Sequence, residues 1–510
     1  MTARPAIASA RAGRRALILP GGGMRVAYQA GAIQRLHEEG LRFSYGDGTS
    51  GGIMNLGALL SGVTPEDLAL RWRRLRPTAF VSPLSLRGYL KFPRLAAFGD
   101  FDGITGTIFP HLGIDPDKIR ASRGVTAQFN ICNFRRKAVE AIPHTRITLN
   151  HMLAGMSLPM FTPAVVEGGE TWTDAVWIQD SNLLKTAEAG ANELWVVWCI
   201  GNTPAWQTGM LNQYVHMIEM SAVAALNAEL AAIAQLNNRI AAGEAPLGHK
   251  TPIKVHLIRP DLPIPLDPDY VAGKVSGNAL VDQGYMDASR YLAARAAGGI
   301  ALDESATMTA RPKRGVSFRE RMAGRISFDT TDPVTGGEDR NAVPVVLNAT
   351  INLRDVAGFV RDPQHRGEMA AHLYSPRLGF IRPGTDSNFS LFTPSDQPDL
   401  TYMTYELGVL LDGKPHWFSG RKYIRRGWFW RLWRETTTLH VTLHEGHDRT
   451  GPVVAAGILR LGLIDFIGLM TTLTARDCPG LGARLGATGQ FIEYFAGSLV
   501  RTYLRKGRAR

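Results

Sequence analysis

Two hydrophobic periods divide the chain. Over roughly the first 300 residues, short apolar runs alternate with stretches of helical periodicity, which is the signature of parallel strand–helix–strand units. Ala16 to Leu19 predicts a strand, followed at once by glycines and a helix through Val26, Ala30, Ile33 and Leu36. Leu41 to Tyr45 predicts a second short strand, leading into Gly48-Thr49-Ser50-Gly51-Gly52 and a helix from Ile53 to Leu60. The continuous apolar run Leu194 to Ile200 predicts a strand covered on both faces. A long helix follows, with Leu211, Val215, Ile218, Ala222, Leu226 and Ile233 on one stripe. Ile253 to Ile258 predicts another strand, and Met286 to Ala297 a closing helix.

After Gly298 the period changes. Residues 301–314 are polar and end in Lys313 and Arg314, predicting a linker between a domain of residues 15–300 and one of residues 315–510. In the second part Val345, Leu347, Ala349, Ile351 and Leu353 alternate with polar or outward positions, as do Leu439, Val441 and Leu443. Asp412-Gly413 lies between two apolar runs as a hairpin turn. This half predicts a mainly antiparallel β domain, barrel or sandwich, closing with helices near residues 464–475 and 489–503. The most span-like stretch, Val453 to Ala475, carries Arg460, Asp465 and three glycines, and predicts a strand followed by a buried helix. No transmembrane segment is predicted.

Composition narrows the class. Hydrophobic residues make up 45% of the 510 positions and charged residues 20%, a globular balance. The formal charge is +12, yet there is no zinc-finger spacing and no long basic run, so nucleic acid is not the predicted partner. Residues 1–14 are Arg-rich and free of acids, with too little apolar sequence behind them for a signal peptide, and predict a disordered basic arm. Cys132, Cys199 and Cys478 are far apart, with no C-x-x-C, which points to a reducing compartment, the cytoplasm, with any membrane contact peripheral.

Chemistry enters with two glycine-framed turns. Gly48-x-Ser50-x-Gly52 stands between a predicted strand and a predicted helix, where a sharp turn lifts the serine oxygen clear of the backbone. By itself that pattern is weak in a chain with 54 glycines. Gly21-Gly22-Gly23-Met24 occupies a similar junction, where successive N–H groups beside a helix N-terminus suit an anion. A Walker loop needs a trailing Lys-Ser or Lys-Thr, and a dinucleotide loop needs G-x-G-x-x-G; neither is present. An oxyanion loop fits better, because a candidate nucleophile follows one strand later.

With these motifs in view, L-I-L-P-G-G-G-M-R-V-A-Y-Q-A-G-A-I followed by G-T-S-G-G resembles the patatin-like phospholipase family. Ser157-Leu158-Pro159 through Trp172-Thr173-Asp174 is similar to that family's segment ahead of its catalytic acid. The resemblance spans residues 16–297. It implies a three-layer α/β domain with a mainly parallel sheet, hydrolysis of lipid acyl esters by a Ser50–Asp174 dyad, and an oxyanion hole from Gly21, Gly22, Gly23 and Met24. Gly48 and Gly52 frame the nucleophile. No cofactor is implied.

Two departures stand out: Val26 replaces the last glycine of the loop motif, and Ala175-Val176 replaces the glycines after the dyad aspartate. They motivate the competing reading of an inactive lipid-binding or membrane-scaffold protein. Asp180 is the backup carboxylate, although a turn or cap role suits it better. A histidine triad is the competing mechanism, with His216 and His256 as candidates that read as packing residues.

His440, His444 and His447 fall short of zincin spacing and read as a polar strand end, so no metal is predicted. The run Gly420 to Arg434 interleaves cations with tryptophans, and Arg421, Lys422, Arg425, Arg426, Trp428 and Trp430 would suit an anionic membrane surface. Phe318 to Gly324, Gly367 to His372, Asp412 to Lys422 and T-T-T-L-H-V-T-L-H-E-G resemble an accessory module found beside cholesterol-oxidase-like flavoenzymes, which implies handling of a bulky lipid.

Overall fold

The computed structural model describes residues 14–80, 82–84, 89–90, 94–200, 203–260, 264, 275–309, 313–397, 399–427 and 429–503. The predicted arm (apart from Arg14), Trp428 and residues 504–510 lie outside the described residues. The chain divides into two compact units, residues 1–203 with 208–310, and residues 204–207 with 311–510.

The first unit is built on β1 (Arg15–Leu19), β2 (Tyr45–Thr49), β3 (Thr126–Asn133), β4 (Ala138–Pro143), β5 (Val165–Glu167), β6 (Glu170–Asp174), β7 (Glu193–Val197) and β8 (Lys254–Ile258). Strands β3-β2-β1-β7-β8 run parallel, while β4 and β6 pair antiparallel with β3, and β5 with β6. The sheet is therefore mixed. Strand periodicity explains its two covered faces. Leu17 and Leu19 of β1 join one core with the helices Ala27–Glu38, Gly52–Leu60 and Gly277–Ala294. Ala16 and Ile18 join the other, under the helix Met210–Ala241.

Three sequence expectations change. The second strand is Tyr45–Thr49 rather than Leu41 to Tyr45. Gly46-Asp47-Gly48 has turn composition but pairs in register with both β1 and β3, and its small residues suit the helix packed behind it: a Cβ on Gly48 would lie 3.0 Å from Leu56. The closing helix begins at Gly277, nine residues before its predicted start at Met286. Residues 300–307, read from 301 as linker, pack on the first unit: the Ile300 N–H donates to Val255 O, and the Thr307 hydroxyl donates to Asn227. Among the described residues, one helix is long and apolar enough to cross a membrane, Met210–Ala241, not the stretch singled out above. One stripe of it is a core layer.

The second unit contains β9 (Gly315–Ser327), β10 (Val343–Leu353), β11 (Arg366–Ser375), β12 (Gly379–Pro394), β13 (Leu400–Leu411), β14 (Lys414–Arg425), β15 (Thr438–Glu445), β16 (Val453–Arg460) and β17 (Thr474–Arg476). Each of β9 to β16 pairs antiparallel with the next, and β16 returns to β9, so the eight strands close into a barrel. Closure removes the sheet edges a sandwich would leave. Asp412 and Gly413, with φ of 51° and 76°, form the two-residue turn from β13 to β14.

The helix Gly480–Tyr503 lays Phe491 against Phe318, ring centroids 5.5 Å apart, and Tyr494 against Phe359. Lys422 is buried, not at the surface. Its ammonium donates to Glu320 at 2.5 Å, and Tyr405 donates to the same carboxylate at 2.7 Å. It lies on the inward face of β14 with Phe418 and Ile424, so strand alternation removes it from the predicted membrane surface. The helix Leu463–Thr472, expected to be buried, contains no buried residue.

Candidate active site

Ser50 sits between the end of β2 and the helix Gly52–Leu60 with φ of 50°, a left-handed conformation that non-glycine residues rarely adopt. The bend is held from both sides. A Cβ on Gly52 would meet Leu19 O at 1.9 Å, and one on Gly51 would meet Gly23 O at 2.7 Å. Behind the bend, Asn130 on β3 donates to the buried Asp47 at 2.9 Å and to the Thr49 hydroxyl at 3.0 Å, while Gln128 donates to Asp47 at 2.7 Å.

The hydroxyl of Ser50 donates to Asp174 Oδ2 at 2.6 Å. Asp174 ends β6 and is fully buried. Its backbone N–H donates to Ser157 O, as does the Thr173 hydroxyl, so the segment beginning Ser157-Leu158-Pro159 braces the strand end. Its other carboxylate oxygen accepts from the Val176 N–H at 2.9 Å and caps the 3-10 turn Ala175–Trp177. Neither Ala175 nor Val176 has a positive φ, so this turn does not require glycine. Val26 likewise lies in a helical turn, where Asn55 donates to its carbonyl.

Burial pushes the Asp174 carboxyl up to about 7, against the opposing pull of its bonds from Ser50 and Val176. Burial also raises Asp47, to about 6. Asp180 is raised well above the usual carboxylate range, first by burial and further by neighbouring Asp174 and Asp47.

The glycine loop is clamped at Gly21. Its N–H donates to Asp180 Oδ1 at 2.7 Å, and its carbonyl accepts from the Cys199 thiol at 3.1 Å. A Cβ on Gly21 would meet Ser50 Cβ at 2.7 Å. Gly22, at φ 151°, would place one 2.5 Å from the Cys199 sulfur. Gln29 anchors the entry to the loop by donating to Pro20 O at 2.7 Å. The 3-10 turn Gly23–Val26 follows, so the N–H groups of Gly23 and Met24 precede any intrahelical acceptor. The buried Arg25 donates to Gly22 O and pairs with Glu219 at 3.6 Å.

Ser50, Asp174, Asp180 and the glycine loop therefore converge at the C-terminal ends of β1, β2 and β6, and the two candidate histidines do not join them. Asp180, read as a turn or cap residue, is a buried acceptor for the loop. Sequence reasoning noticed it only by its spacing from Asp174, and passed over Cys199, Gln29 and Asn130. The histidines have other partners: His256 stacks on Trp195 at 4.0 Å and bonds Tyr291, and His216 bonds Glu219. In the second unit His444 contacts Thr442 and Gly451 O, and His440 packs on Tyr423.

No curated protein matches the chain. Among solved structures, VipD from Legionella pneumophila aligns over 54% of this chain and 67% of its own, with 11% identity and a TM-score of 0.25. Residues 17–186, within the first unit, match the family model described as patatin-like phospholipase.

Proposed function

We propose that the chain is a lipid acyl hydrolase working through an acyl-Ser50 intermediate. The observation that carries this reading is the 2.6 Å bond from Ser50, on a strained bend, to a buried carboxylate. A serine hydroxyl is a weak nucleophile until a base takes its proton, and a carboxylate raised to about 7 by burial is a competent base near neutral pH.

In the first half-reaction the Ser50 proton passes to Asp174 as Oγ bonds to the acyl carbon, and the carbonyl electron pair moves onto its oxygen. Collapse of this intermediate breaks the ester C–O bond, and Asp174 returns the proton to the leaving alcohol. Water then repeats the sequence on the acyl-enzyme and releases the carboxylic acid. The developing oxyanion is held by the N–H groups of Gly22, Gly23 and Met24. The Gly21 N–H is taken up by Asp180, which makes it a brace for the loop rather than a donor to substrate.

The departures from the glycine pattern at Val26, Ala175 and Val176 fall in helical backbone that any L-residue can adopt, so they do not argue for an inactive scaffold. The test is hydrolysis of a panel of phospholipids, neutral glycerides and sterol esters by the wild-type chain and Ser50→Ala. Release of fatty acid by the wild type alone supports the reading. Equal release by both, or by neither, overturns it.

A further inference from the structure

The helix Leu463–Thr472 is apolar on both sides but covered on only one. Phe466 and Leu469 pack against the barrel core, while Leu463, Ile464, Ile467 and Met470 project outward, with Ile464 85% exposed. These four positions fall on one helical stripe, and a solvated helix would carry polar residues there. An exposed contiguous apolar face of this kind marks a surface that expects cover.

The neighbouring segment says what that cover is. The helix Leu432–Thr437 meets it through Trp433, whose ring lies 5.5 Å from that of Phe466, and Phe429–Arg431 leads directly into that helix. Trp430 is 61% exposed and Trp433 nearly half exposed, and Arg431 between them and Arg434 just after them are exposed cations. The only acid on the apolar helix, Asp465, is paired with Arg321 at 3.2 Å. An exposed apolar helix face therefore adjoins, through Trp433, a short segment that carries a second exposed indole and two exposed arginines. A bilayer interface offers the matching layers: acyl chains, a headgroup zone that accepts indole N–H groups, and anionic phosphates.

We infer that the exposed face of Leu463–Thr472, together with the adjoining segment that carries Trp430, Arg431, Trp433 and Arg434, docks the protein on an anionic lipid bilayer. This deepens the hydrolase reading by naming the physical form of its substrate, a lipid in a membrane rather than in solution. It corrects the predicted contact: the apolar helix is the inserting element, and the buried Lys422 takes no part.

The test uses the full-length Ser50→Ala chain and sedimentation with vesicles of phosphatidylcholine, with and without phosphatidylserine. Binding is expected with phosphatidylserine and is expected to weaken in high salt. Ile464→Asp/Ile467→Asp should lower the partition coefficient about tenfold or more, since each isoleucine then gives up its transfer from water. Arg431→Glu/Arg434→Glu, a second exposed pair, should abolish the preference for phosphatidylserine.

Unchanged binding by the isoleucine variant overturns the inference, as does no binding by the parent chain. A concentration-dependent dimer dissolved by the same substitution also overturns it, because a second copy would then be the cover. Turnover of a short-chain soluble ester by the chain with Ser50 intact separates the two readings. Its loss would count against the hydrolase, and its survival in Ile464→Asp/Ile467→Asp alongside lost vesicle binding is the result expected here.

Discussion

A base buried in a site made for catalysis should weaken the fold that holds it, and Asp174 gives that cost a size. Its carboxyl is raised from 3.8 to about 7, chiefly by burial. The folded chain therefore holds the proton more tightly than the unfolded chain, and stability falls as pH rises through the interval between those two values. Below that interval both states are protonated and nothing is lost. Above it the native state carries a buried charge at a cost of about 4 kcal/mol, since each tenfold change in proton affinity is worth roughly 1.4 kcal/mol.

Asp174→Asn removes the charge but keeps the shape. The amide oxygen can still accept from the Val176 N–H, and the amide nitrogen can donate to Ser50. The gain from the substitution should grow by about 3 kcal/mol between about pH 5 and about pH 8. In a domain of this size that is a rise of roughly 5 °C in Tm relative to wild type. Calorimetry of both proteins across that pH range measures it, with the first unit's transition followed separately. A gain independent of pH, or a loss at the alkaline end, would refute the reasoning.

Three other outcomes follow from the same contacts. Below about pH 7 the wild-type kcat/KM should fall about tenfold per pH unit, since only ionised Asp174 accepts the serine proton, and a pH–rate profile on a soluble ester reads this directly. Gly21→Ala should leave circular dichroism intact but cut kcat at least ~100-fold, because the new methyl would lie 2.7 Å from Ser50 Cβ and displace the loop. Lys422→Met leaves Glu320 buried without its cation and should destabilise the second unit by about 3–5 kcal/mol in chemical denaturation, whereas Glu320→Leu/Lys422→Met should recover most of that loss.

How much was legible in the chain depended on the range of the interaction. The nucleophile bend and the glycine loop could be read because each is local: a few glycines and a serine at fixed spacing dictate a turn. The barrel strands could be read for the same reason, from alternation along β10 and β15 and the Asp412-Gly413 turn. Closure could not, because it depends on β16 returning to β9, more than a hundred residues earlier. Strand β2 was misplaced because Gly46, Asp47 and Gly48 have loop composition, and only their register with β1 and β3 makes them a strand.

Cys199 and Asn130 were invisible as site residues, and so was the part Asp180 plays, because each acts on a partner across the fold: Asp180 and Cys199 on Gly21, Asn130 on Asp47. Lys422 was misassigned because a cation near tryptophans suggests a surface. Its position on the inward side of β14 follows only from knowing which face of that strand the core covers. The helix Leu463–Thr472 erred the other way, since apolar composition all round suggests burial when one face is open.

The central claim is that Ser50 is a nucleophile activated by Asp174, and covalent labelling with a fluorophosphonate tests it most directly. Mass spectrometry of the intact chain and its peptides should find one adduct, on Ser50. Ser50→Ala should give none, and Asp174→Asn should be labelled at least ~100-fold more slowly at neutral pH. Labelling of Ser50→Ala at the wild-type rate, or an unchanged rate in Asp174→Asn, would contradict the account.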